Sequence, residues 1–294
     1  MTTVPALVKD WLDHCRAEGL QPSTMRNYAQ VIDYILLPFC VREGIEDVQG
    51  LDQAALDRLA TELLSRPSQR NGKPLSRASV DSYLRPVRKL TDYGRSKGFD
   101  LLGRPTNIRQ GKAPKDVLTR EELQQMENAA VTERDKLIVR LLADTGMRIG
   151  ELVKLRPSDL IERNRQWFLY VRGKGRNDRF VPVPRIHRRL RTWAESGRRQ
   201  PCADLIFTVL HARGGFYPGI SYAGAWKIIR NVADAAQIRK RVHPHLLRHT
   251  FITHLRRKGL NDAQISLVVG NWTTLQSYTW LEAGDAYGFM GDLG

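Results

Sequence analysis

The apolar periodicity that runs through the first hundred residues stops at Gly103. From Gly103-Arg-Pro-Thr to Gly111-Lys-Ala-Pro114-Lys115 the chain is basic, holds glycine and proline, and shows no apolar repeat. Such a stretch has no face to bury and reads as a linker. It divides the chain into residues 1–104 and 117–294, joined by 105–116. At roughly 150 residues per domain, the 294 residues suit two domains, and 41% hydrophobic content lets each bury a core.

The first part reads as helical throughout. An amphipathic segment begins at Val8, Trp11 and Leu12. A second follows the caps offered by Gln21-Pro22-Ser23-Thr24 and carries Tyr28, Val31, Ile32, Tyr34 and Ile35. Leu51–Leu64 aligns Leu56, Leu59 and Leu63, and Ser76–Tyr93 turns Val80, Leu84, Val87 and Leu90 inward. Pro86 is expected to kink or break that last helix. Its outer face carries Arg77, Arg85, Arg88 and Lys89. A cationic face of this kind follows a DNA backbone or simply stands in solvent, and the pattern alone does not separate the two.

The second part is helical around a short β element. Thr119-Arg-Glu-Glu122 has a capping-box pattern. Lys136–Leu142 is a strongly apolar helix, Gly146 interrupts it, and another helix follows over Ile149–Leu155. Trp167–Val171 and Phe180–Val183 read as strands joined by the turn Gly173-Lys-Gly-Arg-Asn-Asp178. Helices follow over Tyr222–Ala235, Leu246–Lys258 and Asp262–Val269. The fold class expected is mainly α with a small β-hairpin or sheet.

Charge narrows the class of partner. Lys and Arg outnumber Asp and Glu 47 to 31, a formal +16, which favours a polyanion, nucleic acid being the commonest. The three cysteines, Cys15, Cys40 and Cys202, have neither zinc-ligand nor disulfide-framework spacing, and suit the reduced thiols of a cytoplasm. The N-terminus lacks an apolar signal core, and no apolar run is long enough to span a membrane.

Five residues could carry chemistry. Arg148 follows the helix break at Gly146, where backbone N–H groups and a guanidinium suit anionic oxygens, and Glu151 could orient it. Lys174 lies between two glycines at a hairpin tip, where an ammonium could protonate a leaving oxygen. His245 and Arg248 are one helical turn apart, the first able to exchange a proton near neutrality and the second to grip a phosphate in bidentate fashion. His249 and His254 read as packing or surface histidines. Tyr278, with an ordinary pKa of about 10, needs such help to act as a nucleophile. Each alone is also what a surface arginine, a turn lysine or a core tyrosine looks like.

Taken in order, these segments resemble the tyrosine recombinases, or phage integrase family. Thr145-Gly-Met-Arg148-Ile-Gly-Glu151-Leu resembles the family's first arginine box, and Gly173-Lys174-Gly175 followed by Arg179-Phe-Val-Pro-Val its hairpin lysine. His245-Leu-Leu-Arg248-His249-Thr250-Phe251 resembles the H-x-x-R-H box, and Gln276-Ser-Tyr278-Thr279 the nucleophile segment. The N-terminal part, with Ser23-Thr24, Tyr28 and the helix ending at Tyr93, resembles the family's helical core-binding domain. The chain departs from the family in two ways, one being that the segment from Asn271 to Tyr278 is shorter than usual. Where relatives carry His or Trp after the glycine preceding the nucleophile, Gly270 is followed by Asn271 and then Trp272. Position favours Asn271 for that phosphate contact, with the Trp272 indole N–H as the alternative donor.

The resemblance implies a two-lobed DNA clamp, a helical core-binding domain with an α-rich catalytic domain. Tyr278 would attack a DNA phosphodiester, leaving a 3′-phosphotyrosyl bond and a 5′-hydroxyl. Arg148, Arg248 and Asn271 would hold the phosphate, Lys174 would protonate the leaving oxygen, and His245 would take the tyrosine proton. No cofactor or metal is implied. The partners implied are double-stranded DNA bearing a specific site and a homotetramer on paired sites, with an accessory directionality protein as a further partner. The tail with Tyr287, Phe289 and Met290 would anchor one subunit to the next. Arg176, Arg239, Lys240 and Arg241 are further DNA-contact candidates. The absence of an extra arm-binding domain suits a dimer-resolving or small mobile-element enzyme. Two other functions fit parts of the pattern: type IB topoisomerase-like relaxation, and DNA binding with a degraded active site.

Overall fold

The computed structural model describes residues 2–69, 72–100, 102–108, 116–173, 178–196, 204–211, 214–270 and 290. It divides into two compact units, Met1–Ala113 and Pro114–Gly294.

The first unit is all helical. Helix α1 (Val4–Ala17) starts earlier than its apolar pattern suggests, because the Thr3 hydroxyl accepts the Ala6 N–H and Pro5 lies in the first turn. Helix α2 (Pro22–Val31) widens into one π turn over Ile32–Leu36 and continues as α3 (Leu37–Glu43). Pro38 enters immediately after that turn and has no N–H to give, so the widened turn and the proline coincide. Helix α4 (Gln53–Ser65) is capped by Asp52 and α5 (Arg77–Ser96) by Ser76. Trp11, Ile32, Leu36, Phe39, Leu56, Leu59, Leu84 and Leu90 form the shared core. Cys15 and Cys40 are buried free thiols in it, and burial pushes the Cys40 thiol up to about 11.

Helix α5 does not break at Pro86, and one of its expected surface cations is buried. The helix is continuous through the buried Pro86. Arg88, expected on the outer face, is buried and donates to the Asp81 carbonyl at 3.2 Å and carboxylate at 2.9 Å. A guanidinium thus serves a carbonyl in the turn ahead of the proline, and the arginine is taken out of any cationic face. Arg77, Arg85 and Lys89 do stand exposed.

The start of the expected linker is held by this unit. The Gly103 N–H donates to the Leu51 carbonyl at 2.8 Å. Arg104 pairs with Asp92 at 2.8 Å, and the Thr106 carbonyl accepts from Arg88. Residues 109–115 lie outside the described residues. A Cβ on Gly103 would sit 2.5 Å from backbone atoms of Asp52 and Gln53, at the cap of α4. Gly103→Ala should therefore cost about 1–3 kcal/mol through overpacking, read as a lowered midpoint in denaturant unfolding of the first unit.

In the second unit, α6 (Arg120–Ala129) opens on the capping box that its sequence announces, with Thr119 and Glu122 exchanging both bonds. Helix α7 (Glu133–Thr145) ends at Gly146, in the left-handed region at φ 59. Helix α8 (Ile149–Leu152) is one turn, shorter than its pattern suggests. Strands β1 (Leu160–Arg163), β2 (Gln166–Val171) and β3 (Arg179–Pro182) make an antiparallel sheet in the order β1-β2-β3, with Leu160 opposite Leu169 and Val171 opposite Arg179. Helices α9 (His187–Ser196), α10 (Tyr222–Ala235), α11 (Pro244–Arg257) and α12 (Asp262–Val269) complete it. Strand β1 and α9 were not expected from sequence. Leu137, Leu141 and Leu142 of α7 and Leu247, Phe251 and Leu255 of α11 belong to one core. Met290, expected in an inter-subunit anchor, is buried with that same core, while Tyr287 and Phe289 lie outside the described residues. Among the described residues, no helix is long and apolar enough to cross a membrane.

Candidate active site

Three arginines from separate elements gather around one carboxylate. After Gly146 the chain turns, and Arg148 stands in extended conformation at the cap of α8 (φ −76, ψ 145). Glu151, the third residue of α8, folds back on that cap. Its Oε2 accepts from the Arg148 N–H at 2.8 Å and its Oε1 from Arg148 Nη1 at 3.0 Å. Arg179 reaches the same carboxylate from β3, Nη2 to Oε2 at 2.8 Å and Nη1 to Oε1 at 3.2 Å. Each oxygen thus accepts two hydrogen bonds. Burial pushes the Glu151 carboxyl up, but the bonds and charges of Arg179 and Arg148 outweigh it and hold the group below its ordinary value.

Arg248 completes the cluster from the second turn of α11. Its Nη1 donates to the Gly146 carbonyl and its Nη2 to the Val269 carbonyl, both at 2.8 Å. Burial, with Arg148 and Arg179 nearby, pulls this guanidinium down to about 10, so it stays charged at neutral pH. Two glycines let neighbouring side chains come close here. A Cβ on Gly146 would lie 2.4 Å from Phe251 Cδ1, and one on Gly270 (φ 69) would lie 2.9 Å from Arg179 Nη1. Three positive groups and one negative leave two net positive charges. Only the Arg148 side chain is well exposed, at 39%, against 1% for Arg179 and 7% for Arg248.

The structure thus brings together Arg148, Glu151 and Arg248. His245 is exposed in the first turn of α11, one turn ahead of the buried Arg248. Lys174, Arg176, Asn271, Trp272 and Tyr278 lie outside the described residues. Arg239 and Arg241 are exposed. Lys240, a DNA-contact candidate by sequence, instead donates to the Val117 carbonyl at 2.8 Å and to Glu122 at 2.6 Å, which ties it to the start of α6. His254 is half-buried, and burial lowers its basicity. Among the described residues no His, Cys, Asp and Glu cluster could hold a metal ion. Sequence reasoning missed Arg179, although a signal existed. In a strand of period two it is in phase with the apolar, buried Val181 and Val183, so its side chain had to face inward.

The cap of α11 carries a pH dependence. His243 Nδ1 accepts the Leu246 N–H at 3.1 Å, which requires that nitrogen to be unprotonated. Burial, then the nearby His245 and Arg241, lowers its pKa below 6.5. A lowered folded-state value means that this contribution is complete above 6.5 and lost as pH falls through the folded value. His243→Asn keeps a capping oxygen without titrating. Melting temperatures should fall less on acidification below 6.5 in this variant than in wild type, on the scale of one cap, about 1 kcal/mol.

A buried, doubly positive cluster with one exposed guanidinium has the charge to receive an anionic oxygen. A family model for the phage integrase family matches residues 116–283. The chain belongs to the phage integrase family, the tyrosine recombinases. It is 28% identical over 287 residues to the tyrosine recombinase XerA of Thermococcus onnurineus, covering 95% of this chain and 92% of that one. Its fold is similar to that of XerH site-specific recombinase bound to difH substrate (TM-score 0.65, 20% identity, 95% and 83% covered). It is also similar to that of lambda integrase in a tetramer bound to a Holliday junction (TM-score 0.67, 15% identity, 95% and 80% covered).

Proposed function

We propose that the chain cuts and rejoins duplex DNA at a specific site through a 3′-phosphotyrosyl bond on Tyr278. The observation that carries this reading is the convergence of Arg148 and Arg248, a hundred residues apart, around Glu151 and Arg179. Two guanidinia of unequal exposure suit the two non-bridging oxygens of a phosphodiester, whose charge grows in the transition state. Arg248 is fixed by two carbonyls before any ligand arrives, so it does not reorganise during the reaction.

In the balanced step, the Tyr278 oxygen bonds to phosphorus as the bond to the 5′-oxygen breaks. His245 takes the phenolic proton and Lys174 supplies one to the departing 5′-oxygen. Asn271, or the Trp272 N–H, donates to a non-bridging oxygen. A 5′-hydroxyl from a partner strand then reverses the exchange, and the number of phosphoester bonds is unchanged. A homotetramer on paired sites carries out two such exchanges, as the lambda integrase tetramer on a Holliday junction suggests. The first unit serves as the core-binding domain and meets the phosphate backbone through Arg77, Arg85 and Lys89. The second meets it through Arg239, Arg241 and Arg176. An accessory protein would set direction, and the site of action is chromosomal or mobile-element DNA in the cytoplasm.

Incubation with nicked suicide duplexes carrying randomised arms should give a covalent adduct on a denaturing gel, and sequencing the captured DNA would identify the site. Tyr278→Phe should abolish the adduct. An undiminished adduct in that variant, or none in wild type, would sink the reading. DNA affinity should also fall with salt at a log–log slope of about −0.9 per neutralised phosphate, measured by fluorescence anisotropy; a flat response would contradict the cationic contacts.

A further inference from the structure

We propose that Arg179 is a positioning residue that sets the cleavage rate by holding Glu151 against Arg148 while pinning the end of α12. The inference rests on the reading above, in which Arg148 meets the phosphate. Arg179 itself is 1% exposed, so it acts through its neighbours and not on the DNA.

Three features distinguish Arg179 from a general core ion pair. Its two terminal nitrogens reach different oxygens of Glu151, at 3.2 and 2.8 Å. That bidentate grip fixes the plane of the carboxylate. The same carboxylate holds both the backbone and the guanidinium of Arg148, so a rotation of Glu151 would carry the exposed arginine with it. The third nitrogen, Nε, donates to the Val268 carbonyl at 2.7 Å, one residue from the carbonyl that Arg248 holds. Gly270 leaves no side chain between this guanidinium and the end of α12. One buried group thus fixes the phosphate-facing arginine and the helix end from which the chain continues toward Tyr278. Lysine cannot reproduce this, because an ammonium has no planar fork.

Removing the fork leaves the charges on the DNA-facing surface unchanged, so binding should survive while cleavage slows. In single-turnover cleavage of the captured nicked duplex, Arg179→Met should lower the rate at saturating DNA on the order of 10²-fold. The half-saturating DNA concentration should stay within about threefold, a separation typical of interactions realised only in the transition state. Arg179→Lys should restore little of the rate. Because Arg148 works on the charge of a non-bridging oxygen, the deficit should shrink several-fold on a duplex whose scissile phosphate is a neutral methylphosphonate. Adding Arg179→Met to Arg148→Ala should cost little more than Arg148→Ala alone.

An equal loss on charged and neutral phosphates, or penalties that multiply in the double variant, would overturn the proposal. If Arg179→Met fails to fold, Arg179→Lys and the nearly isosteric Glu151→Gln test the same relay from its two ends. Absence of the neutral-phosphate effect in both would overturn it equally. A wild-type chain without any Tyr278-dependent adduct would instead count against the underlying function, so the two failures are distinguishable.

Discussion

The Glu151 carboxylate is the group on which the rest of the centre depends. Three guanidinia near one another in a partly buried site repel, and a buried unpaired charge costs several kcal/mol. One carboxylate taking four hydrogen bonds offsets that repulsion for Arg148 and Arg179, but not fully for Arg248. The Arg248 value is lowered first by burial and then by Arg148 and Arg179, so part of that repulsion remains. The centre is therefore left short of negative charge.

Helix ends provide the other half of the balance. Carbonyls near the C-terminus of a helix lack intrahelical partners and carry its negative dipole end. Gly146 closes α7, and Val268 and Val269 are the last residues of α12. Arg248 takes one carbonyl from each helix and Arg179 takes another from α12. The arginines thus act as tertiary C-caps, and the caps in turn hold the arginines. Left-handed glycines follow from this arrangement. A helix that must stop in so crowded a place needs a residue with positive φ and no Cβ, at Gly146, where a Cβ would meet Phe251, and at Gly270, where it would meet the Arg179 guanidinium.

How much was legible in the sequence follows the range of each interaction. Local signals were readable: the Thr119–Glu122 capping box, the stop at Gly146, the two strands about the hairpin, and the order of Arg148, His245 and Arg248. Readings failed where a distant group overrode local preference. Arg88 looked like a surface cation because its helical face is exposed at Arg85 and Lys89, yet Asp81 and the carbonyl ahead of Pro86 drew it inward. Lys240 looked available until Glu122, more than a hundred residues away, claimed it. Strand β1 has too few residues for alternation to show, and its burial pattern does not alternate. Gly103 reads as a flexible residue in isolation, but it is needed where the chain passes close to the cap of α4.

The same geometry sets how close the cluster lies to the end of α12. Gly270 is fixed twice, by its left-handed backbone and by the Arg179 guanidinium against its Cα. With no side chain on Gly270, the Arg179 guanidinium can lie against the end of α12. Burial first, then Arg148 and Arg179, lowers the Arg248 value, so any further positive charge placed beside the cluster would add to repulsion already present.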